Sequence, residues 1–315
     1  MKTVAISIGD LGGVGFEIAL AAHDEVVKLA RPIYCVSSEM AHEAARLLGR
    51  ELPHDFDCEG NEAKFAIRVG AIDANAGRAS FESFVQAVDL AASGKADAVV
   101  TLPIHKAAWK AASLAYRGHT DYLRERFGEG VMALGCALRF VLFYTDHIPL
   151  CEVAPLVRAE LLTPFLVRVA SLVKSSPIGV LGLNPHSGDH GAIGTEDGEV
   201  ELAIAAANRA VGAERFVGAI VPDAAFSPKA IAQFPVIVAL YHDQGLAPLK
   251  ALFFEESINV TLGLPIVRTS VDHGTAFDIA YQHKNPSTKS YTNAIKEAIS
   301  PFCRCFSSEK SQRNG

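Results

Sequence analysis

The chain has 315 residues, half of them hydrophobic and a fifth charged, with a formal net charge of −6. That length accommodates two α/β domains or one large one, and the negative balance without a basic stripe excludes a nucleic-acid backbone surface. No apolar run reaches membrane-spanning length, so neither nucleic acid nor membrane is an expected partner.

Met1 to Ile6 moves directly into a short strand with no secretory h-region. Cys35, Cys58, Cys136, Cys151, Cys303 and Cys305 are scattered without a C-x-x-C pair and read as reduced, mostly buried thiols. The expected compartment is the cytoplasm.

Thr3 to Ile8 is a strand that ends in Gly9-Asp10-Leu11-Gly12-Gly13-Val14-Gly15, before a helical run from Phe16. The glycine spacing matches neither common nucleotide fingerprint, so a tight βα turn with Asp10 capping the next helix stands beside a phosphate cradle. Pro32 to Val36 is a second strand; Ser37 or Ser38 then caps a helix through Leu48 that Gly49 ends. Ser80 is expected to open a helix with Phe81, Phe84, Val85, Val88 and Ala92 on one face. Asp97 to Pro103 is a strand leading to His105 and Lys106. Strands alternating with helices indicate a parallel, doubly wound sheet.

Gly118-His119-Thr120-Asp121 reads as a helix start with Thr120 at the N-cap. Its amides, with Arg117, His119 and the Thr120 hydroxyl, suit an anion, although simple capping accounts for the same residues. Val131 to Thr145 reads as two strands opening a second domain. Thr163-Pro164 starts a helix to about Val173 with proline at N1. An alanine-rich helix follows Gly194-Thr195-Glu196-Asp197, and the strand Phe216 to Val221 ends near Asp223, a carboxylate suited to helix capping or to an active site. From Thr275 the chain reads as helical, with a last helix near Asn293 to Ser300 and a frayed tail from Ser307 to Gly315.

Three apolar strands end on histidine. Arg139 to Thr145 runs into Asp146-His147, Pro177 to Leu183 into Asn184-Pro185-His186, and Phe234 to Leu240 into Tyr241-His242-Asp243-Gln244-Gly245. Ligands bind beyond the carboxyl ends of strands in open α/β sheets. His147, His186 and His242 converge if their strands are neighbours, and three histidines leave a coordination position open, as in catalytic zinc. A satisfied core histidine at His242 and a turn glycine at Gly245 are the plainer alternative. Ser257 to Pro265 and Arg268 to Gly274 add unusual polarity to an apolar background; there His273 competes as a ligand or bonds locally to backbone.

These motifs resemble the 4-hydroxythreonine-4-phosphate dehydrogenase (PdxA) family. The resemblance rests on Gly118-His119-Thr120, Thr145 to Leu150, Gly182 to Gly188, Tyr241 to Gly245, and Asn259 to Pro265 with Arg268 to Gly274. It implies a two-domain α/β/α sandwich of isocitrate/isopropylmalate dehydrogenase type, with the active site in the interdomain cleft at a dimer interface. The expected first domain is residues 1–128 with 276–315, and the second, residues 129–275, carries the metal ligands and dimer contacts. The resemblance puts the metal ligands on His147, His186 and His242, and substrate contacts on His119, Thr120, Lys250, Asn259 and Arg268. Asp223, near the reacting group, and His119 are the expected catalytic residues. One divalent ion per site (zinc, magnesium or cobalt), NAD or NADP, and a homodimer with shared active sites are further implications.

Leu11 and Phe16 stand where the family commonly has proline, and Asp189-His190 where a glycine-richer loop is usual, so nicotinamide contacts stay unassigned. The implied reaction is oxidation and decarboxylation of 4-phosphooxy-L-threonine to 3-amino-2-oxopropyl phosphate in pyridoxal 5'-phosphate synthesis. The alternative is the same chemistry on D-erythronate or D-threonate 4-phosphate. A metal-dependent hydrolase or aldolase, and a non-catalytic phospho-ligand binder, are rivals of other classes.

Overall fold

The computed structural model describes residues 1–60 and 64–300; Cys303, Cys305 and the tail from Ser307 lie outside the described residues. Its strands, in chain order, are β1 (Thr3–Ser7), β2 (Arg31–Cys35), β3 (Ala98–Thr101), β4 (Val131–Cys136), β5 (Arg139–Phe143), β6 (Ile178–Leu181), β7 (Phe216–Ile220), β8 (Val236–Ala239), β9 (Ile258–Leu262) and β10 (Arg268–Val271). The chain divides into two compact units, Met1–Gly130 with the segment from Ile258 onward, and Val131–Ser257. The sequence-based boundaries at 128/129 and 275/276 therefore shift. β9 and β10 hydrogen-bond into the first sheet, a long-range pairing that local composition does not reveal.

In the first unit the strand order is β2-β1-β3-β10-β9. β1, β2, β3 and β10 run parallel and β9 antiparallel, so the expectation of a wholly parallel sheet is corrected here. β1 from Val4 onward and the whole of β3 are buried, as strands covered on both faces must be. The helix Ala74–Ala92 packs on β1 and β3, burying Phe84, Ala87 and Val88 beside Trp109. It begins six residues before the Ser80 start expected from its apolar stripe, because Asp73 caps it, accepting the amides of Asn75 at 2.8 Å and Ala76 at 3.1 Å. Ser80 instead accepts the indole N–H of Trp109 at 2.8 Å.

Other local readings divide by whether tertiary contact intervenes. Ser37 caps the helix Ser38–Leu47 through the amide of Met40, as its side-chain chemistry suggested. Asp10 caps no helix; its Oδ1 closes its own turn by accepting the amide of Gly12 at 2.9 Å. The segment after Thr275 forms turns with positive φ at Ala276, Tyr281, His283 and Asn285 rather than the expected helix, and the last helix is Lys289–Ile299.

The second unit has the order β4-β5-β8-β6-β7, with β4 and β5 an antiparallel hairpin and the rest parallel. Its core gathers Leu134, Val141, Phe143, Leu181, Phe234, Ile237 and Leu249. Pro164 lies inside the helix Ala159–Leu172 rather than at its first position. The helix tolerates it near its first turn, where proline removes one bond to the carbonyl of Glu160, a residue open to solvent. Among the described residues no helix is long and apolar enough to cross a membrane.

Candidate active site

In the second unit the strands that end on histidine, β5, β8 and β6, lie side by side and parallel. The expectation that these strands are neighbours is met. His147 follows β5 in a bend where Asp146 Oδ1 accepts the His147 amide at 2.6 Å. His242 is the first residue of the helix His242–Phe253, directly after β8. The rings of His147 and His242 meet with centroids 5.3 Å apart, and the His242 ring also lies 5.8 Å from that of Phe143.

Gly245 is not a turn glycine but a helical packing contact. A Cβ there would lie 2.5 Å from Val141 and 2.9 Å from Ala239, so only glycine lets this helix lie so close to β5 and β8.

His242 Nδ1 is 2.7 Å from Asp243 Oδ1, and His147 Nδ1 is 3.7 Å from Asp146 Oδ2. At His242, a carboxylate bonded to one ring nitrogen orients the other toward a cation and raises its basicity, so this donor chemistry fits a divalent metal. His186 sits beyond β6 in the Pro185–Gly191 turn, exposed. No group of three metal-ligating side chains is gathered among the described residues. The structure thus assembles the His147 and His242 pair and leaves His186 on the neighbouring strand end.

The same unit holds Lys250 and Asp223. Lys250 lies on the helix His242–Phe253, half-buried, with its ammonium 5.6 Å from the Phe254 ring centroid. Asp223 is exposed in the turn after β7.

The first unit carries a buried cationic cluster. Arg268 begins β10, opposite Thr261 of β9, while Ser270 stands opposite Asn259 and beside Thr101 of β3. Paired residues share a sheet face, so Arg268, Ser270, Asn259, Thr261 and Thr101 make one polar patch. Arg268 is 4% exposed, and its Nη1 donates to Thr261 Oγ1 at 3.1 Å and its Nη2 to Thr101 Oγ1 at 2.8 Å. Burial pushes its pKa down to about 10, so it is still cationic at neutral pH.

His119 begins the helix His119–Phe127, with Gly118 at the N-cap, so Thr120 is an exposed first-turn residue rather than the cap. The His119 ring packs 4.4 Å from Phe84 and edge-on to Trp109 at 5.6 Å. Burial first, then the charges of Arg268 and Lys106, hold its pKa well below the usual histidine value. Sequence reasoning missed Thr101 and Thr261 as partners of Arg268. Their signal was a threonine closing the apolar run of β3 and the Asn259, Thr261 alternation on β9. His273 bonds locally, its Nδ1 lying 3.0 Å from the Gly274 carbonyl oxygen.

A mixed α/β fold of two units, one with a histidine pair at adjacent strand ends and one with a buried arginine beside a neutral histidine, fits the class of dehydrogenase-like α/β enzymes. The chain belongs to the family described as pyridoxal phosphate biosynthetic protein PdxA, whose sequence pattern matches residues 28–298. A curated relative from Sulfurimonas denitrificans, named 4-hydroxythreonine-4-phosphate dehydrogenase, is 51% identical over 297 residues, 94% of this chain and 96% of the relative. A crystal structure of 4-hydroxythreonine-4-phosphate dehydrogenase from Klebsiella pneumoniae superposes with a TM-score of 0.79 at 30% identity, covering 95% of this chain and 99% of that one. A terephthalate 1,2-cis-dihydrodiol dehydrogenase from Burkholderia xenovorans shares the fold, with a TM-score of 0.63 at 23% identity over 94% of this chain and 97% of the other.

Proposed function

We propose that the chain is a 4-hydroxythreonine-4-phosphate dehydrogenase, oxidising and decarboxylating 4-phosphooxy-L-threonine to 3-amino-2-oxopropyl phosphate for pyridoxal phosphate synthesis. The observation that carries the reading is the combination of family membership with histidines at the ends of three adjacent parallel strands. The hydrolase, aldolase and phospho-ligand binder readings give way to it. The four-carbon phospho-sugar acids have no support, since the curated relative and the Klebsiella protein both carry the 4-hydroxythreonine-4-phosphate name.

The substrate brings a phosphate and a carboxylate to a protein of net charge −6, so local cations must hold it. Arg268 is one, preorganised by two threonine hydroxyls. Lys250 is another; Thr120 and Asn259 supply neutral polar groups. His119 accepts from Arg268 through Nδ1 at 3.3 Å, so its proton is on Nε2, an enclosed atom with no hydrogen-bond partner among the described residues. A neutral imidazole there donates a hydrogen bond to substrate oxygen without moving a full charge. Asp223, exposed in the turn after β7, takes the hydroxyl proton as general base, directly or through a water.

His147, His186 and His242 are the groups that hold the divalent ion (zinc, magnesium or cobalt). Bound, such an ion lowers the pKa of a substrate hydroxyl and stabilises the negative charge left when carbon dioxide departs. NAD, or NADP in its place, would be the hydride acceptor. The working form is a cytoplasmic homodimer whose two copies share their active sites.

The test is NADH appearance, followed by absorbance, with 4-phosphooxy-L-threonine before and after chelation. Turnover lost to the chelator and restored by a divalent metal supports the reading. Reduction that proceeds only with erythronate or threonate 4-phosphate would sink it.

A further inference from the structure

The backbone just past β6 is gripped by side chains from two helices. Gln244, in the first turns of His242–Phe253, donates Nε2–H to the Gly182 carbonyl at 2.6 Å while its Oε1 accepts the Leu240 amide at 2.7 Å. Asp197, 4% exposed in the helix Glu196–Val211, accepts the amides of Leu183 at 2.7 Å and Asn184 at 3.2 Å, and the Asn184 side-chain amide at 2.8 Å. Three consecutive peptide units, 182 to 184, are therefore fixed before the chain reaches His186.

The following turn needs that support. His186, Ser187, Asp189 and His190 have φ of 53°, 51°, 42° and 55°, left-handed backbone that L-residues leave unless their surroundings hold them there. A Cβ on Gly182 would lie 2.5 Å from both Asp197 Oδ1 and Ser187 Oγ, so only glycine at the root of the turn lets these two side chains close on it.

We infer that Gln244, with Asp197 behind it, is a positioning residue for the metal-binding histidines. It ties the end of β8 to the end of β6, so that the helix start bearing His242 and the turn bearing His186 keep one spacing. An amide side chain suits this, because it forks into a donor nitrogen and an acceptor oxygen; a carboxylate lacks the donor and leucine lacks both. The inference rests on reading these histidines as ligands, and the outer contacts that orient metal ligands govern affinity nearly as much as the ligands do.

The test is titration of the purified full-length chain with Co2+, followed by its visible ligand-field bands, alongside thermal melting. Gln244→Leu removes both bonds, while Gln244→Glu keeps the acceptor for Leu240 and removes only the donor to Gly182, so it carries the test if the first variant does not fold. Each is expected to bind Co2+ about 10- to 100-fold more weakly, with displaced bands and a melt that stays cooperative. His186→Ala and His242→Ala serve as references. Unchanged Co2+ affinity and bands in a folded Gln244 variant, when both histidine variants lose the ion, would overturn the positioning role alone. Unchanged binding in the histidine variants would overturn the metal reading and this inference with it.

Discussion

Arg268 Nη2 donates to His119 Nδ1 at 3.3 Å, and that contact fixes which nitrogen of His119 carries its proton. A guanidinium can only donate, so Nδ1 accepts and Nε2 is protonated. Burial and the adjacent cations keep the ring neutral. The expected result in a histidine nitrogen NMR titration is a His119 ring that stays in the neutral Nε2–H form as pH falls through 6.5. A midpoint at or above that value would contradict the assignment.

The same shift sets a stability trend with a definite sign. Because the folded pKa lies below the unfolded one, the unfolded chain takes up a proton near pH 6.5 that the native chain refuses. The contribution of this group is fully present above about 6.5 and declines as pH falls further, by at most about 1.4 kcal/mol per pH unit. His119→Phe removes the titrating group. Its melting temperature should fall less steeply than that of the parent between about pH 6.5 and 5; parallel slopes would count against a depressed pKa.

Arg268→Lys keeps the charge and loses the fork. Nη1 and Nη2 reach hydroxyls on two different strands, β9 and β3, and one ammonium cannot serve both in that geometry. The substitution should raise KM for the phosphorylated substrate about 10- to 100-fold, the range of one or two lost charge-assisted hydrogen bonds. A KM within twofold of the parent would remove Arg268 from the anion site.

Asp243 is 82% exposed, so as an ordinary surface carboxylate its replacement would change little. Its Oδ1 lies 2.7 Å from Nδ1 of His242, however, which is the place of a carboxylate that orients a metal ligand. Asp243→Asn should leave the melting temperature near that of the parent and weaken divalent-metal affinity about tenfold or more, measured by competition with a chelator of known strength. Equal affinities would make Asp243 a solvated neighbour and no more.

The histidine-bearing strands were legible because buried parallel strands are written as unbroken apolar runs, and Val236–Ala239 or Ile178–Leu181 stop abruptly at polar residues. Their adjacency followed from crossover topology. The left-handed turn at His186 was not legible, since it depends on Asp197 and Gln244, residues 11 and 58 positions downstream, gripping its root. The unit boundary failed for a similar reason: Arg268 and Asn259 belong to the first sheet only through pairing with Val99 and Ser270. The resemblance supplied the roles of Lys250, Asn259 and Arg268, which composition and spacing alone do not assign.

The helix Ala74–Ala92 shows how a missed cap becomes a prediction. Its first two turns, Ala74-Asn-Ala-Gly-Arg-Ala79, have no apolar stripe, so the sequence pattern begins only at Phe81. What carries those turns is Asp73, whose Oδ1 takes two otherwise orphaned amides, and Gly77, which abuts the backbone of Ala108 so closely that a Cβ would lie 2.3 Å from its carbonyl oxygen. Asp73→Ala should cost about 1 kcal/mol, the usual range being about 0.5 to 2, whereas Asp73→Asn keeps an acceptor at the cap and should cost a few tenths. Denaturant melts of the three proteins decide it. Equal midpoints for Asp73→Ala and the parent would mean that the packing of Gly77 on Ala108, not the cap, holds the first two turns in place.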